Sequence, residues 1–405
     1  MKFSLKKPVI YVARDLERAL GLPITTKGYY IISNYTSFAN SLVKGRKNVL
    51  LVKSGQILDT RELLNHQTAV NFINNIKDAQ LLVFKNTPQI EKICLEHDWV
   101  LLNPPASLSA KVEEKISQVK WLGGLKKYLP RFSVRITKEI FWEGKPFILQ
   151  FNRAHTGSGT ILVENEKQLS DIQTKFPLRE VRVTQFISGP IFTNNNIVWG
   201  NKVLVGNINY QITGLKPFTN NRFATVGNDW SLPHEILSAK QKKEYAEMAT
   251  AIGKKLAQDG WKGLFGIDVV QDEKTGQLYL IEINARQPAS TSFESYLQLH
   301  CHSDPLRRSF SEASRAEESL TTFQAHLSAL QDEKNAGVHL IKITTGAQIT
   351  QKVVAGLGDK KIATLTRKLI TKKFKIFLYD NHEIEKDLLR IQTKKSMYDI
   401  ISQIQ

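Results

Sequence analysis

"GIDVVQDEKTGQLYLIEINAR", residues 266–286, is the stretch on which the fold turns. Residues 266–270 and 278–284 are apolar, β-branched runs, and Asp272-Glu273-Lys274-Thr275-Gly276 between them is turn material, so the segment reads as a β-hairpin. Counting outward from a turn centred near Thr275 sets Asp268 opposite Glu282 and Gly266 opposite Asn284. Directly opposed residues hold their β-carbons about 5 Å apart, and like charges there repel. Period-two alternation puts Glu282, Asn284 and Arg286 on one face and Ile281, Ile283 and Ala285 on the other, which can pack into a core. A hard divalent cation held by two carboxylates and an amide oxygen would remove the repulsion, and Mg²⁺ characteristically shares such ligands with phosphates. A solvated hairpin face with a salt bridge from Arg286 fits the same residues, and a one-residue bulge would spoil the pairing.

The whole chain narrows the setting. Its 405 residues suffice for two to four domains or subdomains. No apolar run is long enough to span a bilayer, and "MKFSLKKPVIYVARD" lacks the apolar segment of a signal peptide, so a cytoplasmic protein is expected. Cys94 and Cys301, the two cysteines, allow no disulfide framework and no Cys-rich zinc site; both are expected to be buried, reduced thiols. The net charge of +18 favours anionic partners. It is spread as Lys-rich surface, as in "GDKKIATLTRKLITKKFK" at 358–375, without the interleaved aromatics of a single-strand platform, so nucleic acid is not required.

Residues 1–110 alternate short apolar runs (9–13, 29–33, 48–53, 81–85 and 99–103) with helical periodicity at 59–76 and 88–97. This predicts an open, mainly parallel α/β domain without a Gly-x-Gly-x-x-Gly dinucleotide site. A helix across 103–130 marks a boundary. Residues 146–151 and 160–163 read as strands joined by the loop "NRAHTGSG" at 152–159, and "EVRVTQFISGP" at 180–190 is a further strand ending at a breaker. At 238–260 Tyr245, Met248, Ile252 and Leu256 form a helical stripe, with Gly260 placed as a C-terminal cap. Loop and helix mix across 305–335, and the tail is a smaller α/β segment. The domains expected are therefore 1–110, 111–190, 191–330 and 331–405.

In this order, "LFGIDVV" with Asp268 and "IEINAR" with Glu282, Asn284 and Arg286, fourteen residues on, resemble the ATP-grasp superfamily of ATP-dependent ligases, from residue 1 to about 330. The resemblance implies an ATP-grasp fold behind a parallel α/β domain, and it implies ATP and two Mg²⁺ ions as cofactors. By the same resemblance Asp268, Glu282 and Asn284 hold the metal, and Arg286 steadies the transferring phosphate or an acyl-phosphate. "HTGSG" at 155–159 is similar to the family's phosphate loop: glycines 157 and 159 admit close backbone approach, Thr156 and Ser158 add hydroxyls, and Arg153 and His155 could add charge. The same turn also fits a plain hairpin tip. Gln185, Phe186 and Ile187 fall where the family reads the adenine edge, although an ordinary core strand fits them too. Lys115 matches one family lysine. Where the family usually carries a second, before the phosphate loop, this chain has Gln150, which can hydrogen-bond but brings no charge.

The activity implied is a ligase joining a small-molecule carboxylate to an amine, or less often a thiol, through an acyl-phosphate, with no membrane partner and with self-association left open. Lys216 and Arg222, between hinge and hairpin, are candidates to hold an anionic substrate or are simply solvated. Two other readings are a non-catalytic nucleotide-binding regulator of ligase ancestry, motivated by Gln150, and a basic nucleic-acid-binding protein, motivated by the net charge.

Overall fold

The computed structural model describes residues 3–152, 159–301, 318–355, 359–379, 381 and 383–404. Strands β1 (Val9–Val12), β2 (Tyr29–Asn34), β3 (Val49–Val52), β4 (Gln80–Val83) and β5 (Val100–Leu101) form one wholly parallel sheet, ordered β3-β2-β1-β4-β5. Both faces are covered, as a parallel sheet requires. Ile10, Val12 and Ile32 pack on Leu63, Leu64, Ile73, Ile90 and Ile93 of the crossover helices. Val9, Tyr11 and Ile31 pack on Phe323 and Leu327, from a helix three hundred residues away at Thr322–Leu330.

The expected elements of this domain form, with one refinement. The periodicity at 59–76 is two helices, Thr60–Asn65 and Gln67–Asn74, divided at His66, which closes the first and caps the second. The segment 103–130 divides similarly at Glu114, into Ala106–Glu113 and Lys115–Leu122, with a 3-10 turn at Gly123–Tyr128.

A four-stranded antiparallel sheet follows: β6 (Phe132–Ile136), β7 (Phe147–Phe151), β8 (Thr160–Val163) and β9 (Glu180–Gln185), ordered β6-β9-β7-β8. One face is apolar, with Leu149, Val163 and Val181 packed on Leu169 and Ile172 of the helix Glu166–Lys175. The alternate residues, Gln150 and Arg182 among them, take the other face.

The large sheet contains β10 (Ile191–Trp199), β11 (Lys202–Leu204), β12 (Asn209–Thr213), β13 (Thr225–Asp229), β14 (Gly263–Gln271) and β15 (Leu278–Asn284). A small parallel pair, β16 (Glu318–Leu320) and β17 (Val338–Leu340), comes next. The tail strands β18 (Ala347–Lys352), β19 (Lys375–Leu378) and β20 (Asp387–Thr393) extend the large sheet, whose order is β15-β14-β10-β12-β13-β18-β20-β19 with β11 beside β10. The helix Ala239–Gln258 starts at a Ser238/Gln241 capping box and buries Tyr245, Met248, Ile252 and Leu256 against β10, β14 and β15. Each such side chain stabilises by about 1.5–3 kcal/mol, and Gly260, at φ +84°, follows the helix end as expected. Among the described residues no helix is long and apolar enough to cross a membrane.

Candidate active site

The hairpin pairs as the count requires: Asp268 lies opposite Glu282 and Gly266 opposite Asn284. A bulge follows immediately, because Val269 pairs with Leu280 and Ile281 is the extra residue. The slip lies on the turn side of the acids and so leaves their pairing intact. It also corrects the expected face pattern: Leu278, Leu280, Ile283 and Ala285 join the core while Ile281 does not. A bulge re-aims the backbone, and here it turns the Ile281 carbonyl toward the small sheet, where Arg182 Nη2 donates to it at 3.3 Å.

Asp268 sits between Thr193 of β10 and Glu282 of β15. Burial and then the neighbouring Glu282 raise its pKa to about 6, while Thr193, Lys115 and Arg286 act in the opposite direction. Burial would raise Glu282 as well, but Lys115, Arg286 and Arg182 more than offset it and hold its carboxyl below the ordinary range. Lys115 begins its helix inside the site, with Nζ 2.9 Å from Glu282 Oε1. The same helix start grips the strand end that leads into the 152–159 loop: Ile116 N–H donates to Asn152 Oδ1 at 2.9 Å, and Asn152 Nδ2 donates to Glu114 at 2.9 Å.

Arg286 pairs with neither hairpin acid. Its Nε lies 3.2 Å from Glu113, which also holds Lys85 at 2.6 Å, and its Nη2 donates to Asn284 Oδ1 at 2.6 Å. Asn284 in turn donates to Asp268 at 3.3 Å. The two acids suit a hard cation, since each raises the cost of ionising the other. Asn284 is committed to Arg286 and would have to give up that bond to add its oxygen. Among the described residues no cluster of three or more His, Cys, Asp or Glu is placed to hold a metal.

Strand β9 ends at Gln185, and residues 186–190 link the two sheets. Gln185 is exposed, Phe186 and Ile187 are half-buried, and Ser188 and Pro190 carbonyls accept from Glu273 and Gln271, so this link is fastened to the hairpin. Gly189, at φ +152°, lets it pass: a β-carbon there would sit 1.9 Å from the Gln271 carbonyl oxygen. Of the proposed phosphate loop, Arg153, His155, Thr156, Gly157 and Ser158 lie outside the described residues. Gly159 closes the loop by accepting from Phe151 N–H at 2.9 Å. Lys216 is exposed, and Arg222 pairs with Glu164 at 3.1 Å.

Sequence reasoning missed Arg182. This side chain is only 2 % exposed and lies directly opposite Gln150 across β9 and β7. Its Nε and Nη2 both donate to Gln150 Oε1, at 2.8 and 2.6 Å, and Nη1 donates to Gln118 Oε1 at 3.0 Å. Its local signal was slight, one basic residue between two valines in "EVRVTQ".

Residues 112–290 match the family model for the ATP-grasp domain. That span carries the opposed acids Asp268 and Glu282, so the part of the chain that holds the site is the part that matches the ATP-grasp domain. No curated protein matches the sequence. Among solved structures, N5-carboxyaminoimidazole synthetase from Staphylococcus aureus complexed with ADP is similar at 12 % identity and TM-score 0.65, covering 100 % of this chain and 98 % of that one. N5-carboxyaminoimidazole synthase from Aspergillus clavatus, in complex with ADP and 5-aminoimidazole ribonucleotide, is similar at 13 % identity and TM-score 0.65, over 98 % and 97 %. L-amino acid ligase from Bacillus licheniformis is similar at 15 % identity and TM-score 0.60, over 99 % and 96 %. At these identities the likeness is one of fold.

Proposed function

We propose that the chain is an ATP-dependent ligase that joins a small-molecule carboxylate to an amine and releases ADP and phosphate. One observation carries this reading: two acids are set opposite each other on β14 and β15, with Lys115, Arg182 and Arg286 gathered around them where the two sheets meet. Such a site suits phosphoryl transfer, which depends on positioning and on fixed charges more than on a protein nucleophile.

The carboxylate of the acid attacks the ATP γ-phosphorus, the bond to the β-phosphate bridging oxygen breaks, and an acyl-phosphate and ADP result. The amine nitrogen then attacks the acyl carbon, phosphate leaves, and the nitrogen sheds a proton. Asp268, Glu282 and Asn284 are the residues that would hold magnesium, which when bound offsets phosphate charge. Lys115, fixed at the helix start, and Arg286, backed by Glu113, present cations beside the acids, where negative charge would move between oxygens. The link 185–187 offers backbone groups beside half-buried apolar side chains, the kind of edge that suits an adenine ring.

The test is a turnover screen. The purified chain is incubated with Mg-ATP and pools of amino acids and small acids, ADP and phosphate are followed, and the joined product is sought by mass. A product heavier than the acid by the amine less one water, formed with one ADP, is the expected result. Nucleotide binding without turnover against any pool would assign a regulator instead.

A further inference from the structure

Arg182 is a buried cation with no counter-charge in contact. Among the described residues no carboxylate lies within ion-pair distance of it, and its hydrogen bonds run to two glutamine oxygens and the Ile281 carbonyl, all neutral. Burial lowers its pKa to about 10, and Glu282, near enough to act through space, only partly opposes this. Buried charges in folded proteins are normally paired, because taking one out of water without an opposite charge is costly. A guanidinium only donates hydrogen bonds, so Gln150 must turn its oxygen to Arg182. Its amide NH₂ is thereby aimed the other way, toward Thr160 Oγ1 at 3.4 Å. Arg182, Gln150 and Thr160 stand in register across β9, β7 and β8, one residue from where β7 enters the 152–159 loop.

We propose that Arg182 and Gln150 together form a phosphate subsite of the nucleotide site, with Arg182 as the source of charge and the positioning residue, and Gln150 as the donor it aims. The inference rests on the ATP-dependent reading above and accounts for the uncharged residue at position 150: the positive charge stands one strand over. The missing counter-ion is then a phosphate oxyanion of the nucleotide.

Gln150→Glu is the decisive variant. It is nearly isosteric and pairs with the guanidinium, so a purely structural role for Arg182 predicts a higher melting temperature and unchanged Mg-ATP affinity. The subsite predicts the same or a higher melting temperature, a Kd for Mg-ATP raised at least tenfold, and an unchanged Kd for adenosine, which carries no phosphate. The exchanged pair Gln150→Lys with Arg182→Met should bind Mg-ATP within about threefold of the native chain, since it returns the charge to β7. A Gln150→Glu chain that melts lower, binds Mg-ATP as the native chain does, or loses adenosine equally overturns the proposal, as does a folded exchanged pair that fails to bind. If the native chain itself does not bind Mg-ATP, the ligase reading falls, a different outcome from variants that leave native binding unchanged.

Discussion

Arg390 and Arg182 are both buried, at 5 % and 2 % exposure, yet their surroundings are opposite. Arg390, on β20, meets Glu17 at 2.9 Å and Asp387 at 3.4 Å, and donates to Thr350 Oγ1 at 3.0 Å. Burial would depress its pKa, but Glu17, Tyr379 and Asp387 hold it above the ordinary arginine value. Glu17 also accepts from the Tyr379 hydroxyl, so this cluster fastens the tail strands to the first crossover of the parallel domain. Its charges are satisfied within the chain, as befits a structural joint. Arg182 has only neutral acceptors in contact and a lowered pKa, as befits a group whose partner arrives from outside.

Arg390→Ala should cost about 3–5 kcal/mol, because Glu17 is left buried without its cation. Arg182→Met removes the charge itself and leaves only amide and carbonyl oxygens unpaired, a loss of about 1–3 kcal/mol. Denaturant titration measures both, and equal losses would erase the distinction. Within the site, Glu282→Gln should lower ATP turnover by about 100-fold or more, the scale on which fixed electrostatic groups act; ADP release measures it.

A third base, His326, is also buried. His326 accepts a hydrogen bond from Leu264 N–H at 3.1 Å, and burial without a countering acid depresses its pKa from 6.5 to about 3. The native state therefore refuses a proton that the unfolded chain takes up below pH 6.5. Above that pH His326 contributes no pH dependence; below it the folded chain loses about 1.4 kcal/mol per pH unit until the native group titrates. His326→Gln should show a stability profile shallower by that amount between pH 6 and 4. Where Arg182 keeps its charge at a lowered pKa, His326 gives its charge up.

The hairpin was legible because its determinants are local: turn residues, alternation, and a count from Thr275. The bulge at Ile281 was not, since Leu280 and Ile281 are adjacent apolar residues and look alike whichever one slips from the ladder. His66 and Glu114 each end one helix and begin the next, so periodicity ran through both breaks unmarked. Arg182 escaped for a deeper reason. Its meaning depends on β9 pairing with β7 in one register, a non-local fact that places it against Gln150. The joining of β18–β20 to the large sheet through β13, and the placement of Phe323 against the parallel sheet, are likewise set by tertiary packing.

On the proposed function, the opposed acids Asp268 and Glu282 coexist because they receive a magnesium nucleotide. The direct measurement is ATP affinity by calorimetry, with and without magnesium, for the native chain and for the double variant Asp268→Asn, Glu282→Gln. The account predicts that magnesium tightens ATP binding at least tenfold in the native chain and has no such effect in the double variant. Equal gains in both chains, or a native chain indifferent to ATP, would contradict it.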